Sequence, residues 1–352
     1  MKIYEVPAER RYWVVRAEGG QYYDHFTRHG LIALGHLNIL NLSDSTEESQ
    51  PPEWAKLQSK FKQLLEQDPT LKTTGKLHLS QAKSFLYEMK PGDWVITIGS
   101  GSVRFGRITG KAFIEKTPLV VIYDAERGHI TECHMHLRRR VEWGPTVSRS
   151  DLPYGLLISL KANQTVFSLD AKWDALYHTL YPAFIRDQKL YLSAKIKTEK
   201  AIKNHNITTV FKLLDEVEVI GKLIALRANT PNFDATMEEY IESDALTITT
   251  KAQFHSPGDI WNAISSLAGH IDLNNWATYT VLAYSMIFGN QKTGFDGLID
   301  IDTRKKLWNL VIDRIKANNA QKTVNDLQIE LPKIDTSKLE DNSKDSKENL
   351  HG

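Results

Sequence analysis

The sequence predicts an α+β protein. A β-rich unit with two inserted helices runs to about residue 170, a second α+β unit covers 171–333, and a disordered tail covers 334–352. Three observations predict this. The chain has 352 residues, more than one hydrophobic core commonly organises, so two domains are expected. The first half carries short β-branched and aromatic runs punctuated by Gly, Pro and Asp, the pattern of strands and turns. After Lys333 the composition is Asp, Ser, Lys, Glu and Asn, with almost nothing to bury.

Residues 12–17 form an apolar run stopped by Glu18-Gly19-Gly20, as a buried strand followed by a turn would read. A short helix is expected over Tyr22–Gly30 and a strand over Leu31–Leu34. Ser43–Pro52 is polar and ends in proline, hence a loop. Trp54, Leu57, Phe61, Leu64 and Leu65 then recur at helical spacing, and a second helix is expected over Ser80–Met89. Pro91-Gly92-Asp93 is a turn leading into a strand at Trp94–Ile98. Further strands are expected at Val103–Ile108 and Leu119–Tyr123, and Met135–Trp143 alternates basic with apolar residues.

In the second half, helices are expected at Ala171–Phe184 and Asn206–Leu214, with the basic stretch Lys189–Lys203 between them. Glu218–Arg227 and Ala245–Phe254 read as strands. His255-Ser256-Pro257-Gly258 breaks the second of these, and helices follow at Asp259–Ala268, Asn275–Phe288 and Thr303–Ala317. No internal repeat is present.

Charge and cysteine content narrow the function. A net charge of +1 argues against a broad phosphate-tracking surface, so any basic patch must be local. The single cysteine, Cys133, excludes an internal disulfide and a Cys-rich zinc site, which suits a reducing cytosol. The opening MKIYEVPAERRYW is charged where a signal peptide needs an apolar run. Trp276–Gly289 is too short and polar to span a bilayer, which needs about 20 apolar residues. A cytoplasmic protein without membrane attachment is expected.

Three stretches together resemble the PUA-like superfamily, in its EVE-like and restriction-associated branch. The first is Trp13-Val14-Val15-Arg16-Ala17 with Gly19-Gly20, then Phe26 and Gly30-Leu31-Ile32-Ala33-Leu34-Gly35. The second is Met89–Val95 with Phe105–Gly110. The third is His136, Arg138–Arg140, Val141-Glu142-Trp143, Arg149, Leu152-Pro153 and Leu156–Leu160. The resemblance covers about 150 residues, and its specificity lies in the order and spacing of pieces that are individually weak. It implies an N-terminal PUA-like β-barrel whose pocket accepts a base, often a modified one, extruded from a duplex or held as a free nucleotide. His36 stands where many relatives carry Trp, so the stacking platform differs here.

A pocket of that kind needs an aromatic plane and edge donors. Trp13, Trp94 and Trp143 are the candidate planes, and Arg16, His36, Ser100 and Ser102 the candidate edge contacts. Arg104, His136, Arg138, Arg139 and Arg140 are candidates for phosphate. Each has a plainer alternative: the tryptophans as core, the arginines as a solvated strand face, His136 as a structural histidine. The expected partner is DNA or a nucleotide, with RNA as an alternative, and the setting implied by the resemblance is bacterial or phage defence.

No catalytic residues emerge from the sequence, and neither a cofactor nor a metal site is expected. A diverged modification-dependent DNA endonuclease is the enzymatic alternative, and Glu216, Glu218 and Lys222 are the acidic and basic groups close enough in sequence to be weighed for it. Gly289–Gly297 is glycine-rich with a lysine but lacks the strand-loop-helix setting of a phosphate cradle. In the C-terminal unit, Ile260, Trp261, Ile264, Trp276, Tyr279, Leu282, Tyr284 and Ile287 read either as plain core or as including a surface for self-association or an effector partner.

Overall fold

A computed structural model describes residues 3–67, 72–124, 128–228, 232–254, 257–265, 273–289 and 301–340. The protein is mixed α+β and divides into two compact units. One comprises Glu9–Trp173 together with the chain from Asp335; the other comprises the first eight residues and Asp174–Ile334. The first strand, β1 (Tyr4–Glu5), therefore belongs to the second unit although it opens the chain.

The Glu9–Trp173 unit is built on β2 (Tyr12–Val15), β3 (Leu31–Leu34), β4 (Trp94–Ile98), β5 (Ser102–Ile114), a hairpin of β6 (Leu119–Asp124) and β7 (His129–Cys133), β8 (Leu137–Ser148) and β9 (Val166–Ser168). Six of these form one sheet in the order β3-β8-β5-β4-β2-β9, in which only β2 and β4 run parallel. Every residue of β2, β3 and β4 is buried, which is why these segments read as unbroken apolar runs rather than alternating ones. Two irregularities in the β5–β8 pairing bend the long strands. The expected closed barrel is not seen: among the described residues the ladder ends at β3 and β9, and the hairpin pairs only with itself.

Three helices fall inside this unit before β4, and a fourth after β8: α1 (Tyr23–His29), α2 (Trp54–Gln67), α3 (Lys72–Lys83) and α4 (Tyr154–Ser159). Gly30, at φ 64°, ends α1 and hands its N–H to Phe26, the left-handed cap expected of a glycine there. A π-turn over Ser84–Glu88 extends α3, so the helix expected at Ser80–Met89 begins earlier than its apolar residues suggested. Trp13, Phe26, Phe61, Phe85 and Trp143 anchor the core beneath them.

The second unit carries α5 (Trp173–Leu180), β10 (Ala183–Arg186), β11 (Lys189–Ile196), α6 (Asn204–Ala225), α7 (Phe233–Glu242), β12 (Thr249–Gln253), β13 (Gly258–Ser265), α8 (Leu273–Phe288), α9 (Ile301–Ala317), α10 (Ala320–Leu327) and β14 (Ile329–Glu330). Its sheet runs β1-β10-β11-β13-β12, with β14 also on β11. Two expectations are corrected. The expected helix Asn206–Leu214 and strand Glu218–Arg227 are one 22-residue helix, α6. It is buried on almost every side from Leu213 to Ile224, so the amphipathic period that marks a helix is missing from that stretch. Gly221 is the point of closest approach to α8, where a Cβ would lie 2.0 Å from the Thr280 hydroxyl. The helix expected at Asp259–Ala268 is strand β13, in which Ile260, Asn262 and Ile264 alternate inward with period two.

The tail also departs from expectation. Residues 335–340 pack on the Glu9–Trp173 unit, with Leu339 fully buried and its carbonyl accepting the Trp94 indole N–H at 3.1 Å. The rest of the expected disordered tail, 341–352, lies outside the described residues. No described helix is long and apolar enough to cross a membrane.

Candidate functional site

The three tryptophans singled out from the sequence are all core. Trp13, Trp94 and Trp143 are each 5 % exposed or less. Each indole N–H is satisfied inside the protein: Trp13 on Asp93 Oδ2 at 3.0 Å, Trp94 on Leu339 O, and Trp143 on Phe26 O at 2.9 Å. A platform for a base needs an open ring face, and none of the three has one.

The arginine run is mostly structural too. Arg139 is buried and donates to three carbonyls, Phe85 O at 2.7 Å, Gly110 O at 3.0 Å and Leu86 O at 3.2 Å, and burial lowers its pKa to about 10. Arg138, equally buried, donates to Met135 O and Thr117 O and pairs with Glu115 at 2.9 Å. Expected as candidates for phosphate, both instead tie the β8 strand to its surroundings. Arg140 is exposed beside Glu47, and Arg104 is half-buried with its Nε 3.4 Å from Gly144 O. His136 is half-buried, and desolvation together with Arg138 lowers its pKa.

Ser100 lies in the β4–β5 turn and Ser102 opens β5, its carbonyl accepting the Gly99 N–H at 2.9 Å. Arg16 donates from a terminal nitrogen to Leu160 O, and its backbone N–H bonds Thr165 O at 2.8 Å. Of the residues expected to contact a base, His36 lines an open cleft. That cleft has a volume of about 330 Å³, at the small-molecule end of ligand sites, and is also lined by Glu18, Tyr22, Gly35, His134 and Met135.

The cleft is assembled mainly from the turns that follow β2 and β3 and from the link between β7 and β8. β2 ends at Val15, and the turn after it places Glu18, Gly19 and Gly20 at φ 47°, 67° and 103°. Glycine adopts such angles freely. Glu18 does not, and a side chain held there at a cost of roughly 1–2 kcal/mol is a feature that concentrates at binding sites. The turn brings a carboxylate to the rim, and Glu18 is exposed; its carbonyl accepts the Gln21 N–H at 3.2 Å, while its carboxylate has no hydrogen bond or ion pair among the described residues. Tyr22 follows, half-buried; burial first and then the Glu18 charge raise its phenol pKa.

The opposite wall is the turn after β3 and the link between β7 and β8. Asn38 fastens the two by donating to His134 O at 2.6 Å and accepting from His136 N–H at 3.2 Å. Gln81 Oε1 accepts the Val166 N–H at 3.2 Å and lies 2.9 Å from His36 Nε2, so Nε2 carries the proton and donates. Burial keeps that imidazole neutral, lowering its pKa to about 4, and His78 stacks on it with ring centres 4.1 Å apart. His36 is thus held rigidly from two sides.

The residues weighed for nuclease chemistry are buried and saturated. Glu218 lies 2.6 Å from Lys222 Nζ and accepts the Thr247 and Ile248 N–H groups and the Thr247 hydroxyl. Glu216 accepts Arg314 at 2.9 Å and the Asn318 amide. Burial, then Glu218 and Glu216, raise the neighbouring Asp215 carboxyl to about 6. No cluster among the described residues has the geometry to hold a metal ion. Of the glycine-rich loop, residues 290–297 lie outside the described residues.

The apolar residues offered as a partner surface are mainly core: Ile260, Ile264, Trp276, Leu282, Tyr284 and Ile287 are buried, and Trp261 and Tyr279 partly so. Sequence reasoning missed Glu18, Tyr22, His134 and Met135. The available signal was a charged residue inside a glycine turn followed by an aromatic. No protein-family model, curated protein or solved structure matches this chain.

Proposed function

We propose that the Glu9–Trp173 unit is a PUA-like nucleobase-binding module and that the cleft between Glu18, Tyr22, His36 and Met135 holds the base. The observation that supports this reading is a small open cleft with the Tyr22 ring, the Met135 thioether and an unpaired carboxylate on its lining. Aromatic and sulfur groups suit the faces of a flat heterocycle, and polar groups suit its edge. The surroundings of His36 keep its ring fixed and uncharged, so the wall it forms is in place before a ligand arrives. The base comes from a nucleotide or from a nucleic-acid strand in which it is unpaired or extruded, and the sensing role in a restriction-type setting rests on the sequence resemblance.

Titrating the full chain with nucleotides, and with DNA and RNA oligonucleotides carrying native or modified bases at fixed salt, tests the reading. Saturable binding is expected, weakened about tenfold by Tyr22→Ala, since stacking on one aromatic is worth about 1–3 kcal/mol per base. Binding that Tyr22→Ala leaves unchanged, or no binding, overturns it. Replacing Trp143 would weaken binding only by unfolding the unit, because its ring is core.

A further inference from the structure

The chemistry of the cleft points to a particular base. Resting on the reading above, we infer that the ligand is guanine, recognised through its N1–H and N2–H groups by the Glu18 carboxylate. An ionised carboxylate is an acceptor only, with two oxygens side by side. It therefore suits an edge that offers two adjacent donors. Guanine presents such an edge. The corresponding edges of adenine and cytosine place a ring-nitrogen acceptor beside the amino group, and uracil and thymine flank their single N–H with two carbonyls, so each would set a lone pair against the carboxylate.

Three further observations agree. Glu18 is committed to no other partner among the described residues, so its acceptor capacity is free for a ligand. Its backbone is held in the left-handed region at φ 47°, which keeps the carboxylate on the lining at an energetic cost that a mere surface residue would avoid by being glycine, like its neighbours Gly19 and Gly20. No lysine or arginine lines the cleft, which argues that the base enters and any phosphate stays outside. Tyr22 and Met135 then supply the faces, and Glu18 the discrimination.

The experiment is a calorimetric titration of the full chain with guanosine, GMP, inosine, AMP, CMP and UMP, repeated on Glu18→Gln and Tyr22→Ala. Glu18 is exposed, so Glu18→Gln is expected to fold as the parent does, which circular dichroism checks. GMP is expected to bind at least tenfold tighter than AMP, CMP and UMP. Guanosine should match GMP, and inosine, which lacks the N2 amino group, should fall between. Glu18→Gln should erase the preference and leave the weak common binding.

Equal binding of all the bases, lost in Tyr22→Ala, would overturn the guanine inference and leave the nucleobase-binding reading standing. A guanine preference that survives Glu18→Gln would overturn the role given to Glu18. Absence of binding by every ligand would overturn both.

Discussion

Both units contain carboxylates that the folded chain treats in opposite ways, and the contrast separates structure from recognition. In α6, Glu216 and Glu218 are wholly buried and fully used: one is met by Arg314 and Asn318, the other by Lys222, Thr247 and Ile248. At the rim of the cleft, Glu18 is exposed, strained and unpaired among the described residues. A buried carboxylate already met on both oxygens has little capacity left for a substrate or a metal. One with neither met, held at a cavity against backbone preference, has all of it.

The contrast is sharpest where its removal costs most. Lys222→Met leaves the buried Glu218 carboxyl without its cationic partner, and breaking a buried pair by deleting one partner costs about 3–5 kcal/mol. Denaturant unfolding is expected to show a loss of that size. The double variant Glu218→Gln/Lys222→Met, which removes both charges, is expected to recover a good part of it. A double variant no more stable than Lys222→Met would mean that the backbone N–H groups of Thr247 and Ile248, rather than Lys222, hold the charge in place.

Acid stresses both units through neutral histidines. Burial lowers the pKa of His36 to about 4 in one unit and of His178 to about 3 in the other, where the ring lies flat on Trp261 at 4.7 Å and bonds Ser193 at 2.8 Å. Above pH 6.5 neither group contributes to the pH dependence. Between pH 6.5 and the lowered values the unfolded chain takes up protons that the folded chain refuses, so stability falls as pH falls, by at most about 1.4 kcal/mol per pH unit for each group. His36 and His178 imidazole resonances that titrate near pH 6.5 in the folded protein would contradict this.

Trp94→Phe tests the C-terminal strap. It removes one hydrogen bond and leaves the Leu339 carbonyl without it, at a cost of about 1 kcal/mol. Amide exchange over residues 335–340 is expected to accelerate while the core strands keep their protection. Unchanged exchange would mean that Leu339 is held by its side chain alone.

Much of the first unit was legible because β2, β3 and β4 are short, buried and bounded by turn residues. β3 and β4 match the apolar runs residue for residue, and β8 is a longer version of the expected segment. The second unit was less so. A helix buried all round, such as the middle of α6, has lost the period that identifies it, and β13 hides its period of two behind Asp259 and Asn262. The candidate site failed for a related reason. Tryptophan and arginine are the residues that binding favours, but a small sheet also uses tryptophan to fill its interior and arginine to collect stray carbonyls, as Trp143 and Arg139 do. Which use applies is decided by burial, and burial at a single position is not written in that position.

The smallest effect discriminates best, because its two consequences have opposite signs. Glu18→Gly relieves a left-handed side chain worth roughly 1–2 kcal/mol and gives back about 0.5–1 kcal/mol in unfolded-chain entropy, so a small net gain in stability, up to about 1.5 kcal/mol, is expected. The same change removes the free carboxylate from the cleft, so nucleobase affinity should fall while the melting temperature rises. A turn residue with no role in binding would give the gain without the loss. If Glu18→Gly is more stable and binds as the parent does, then the strain serves only the path of the chain from β2 into α1, and the comparison between the saturated and the unsaturated carboxylates loses its functional meaning.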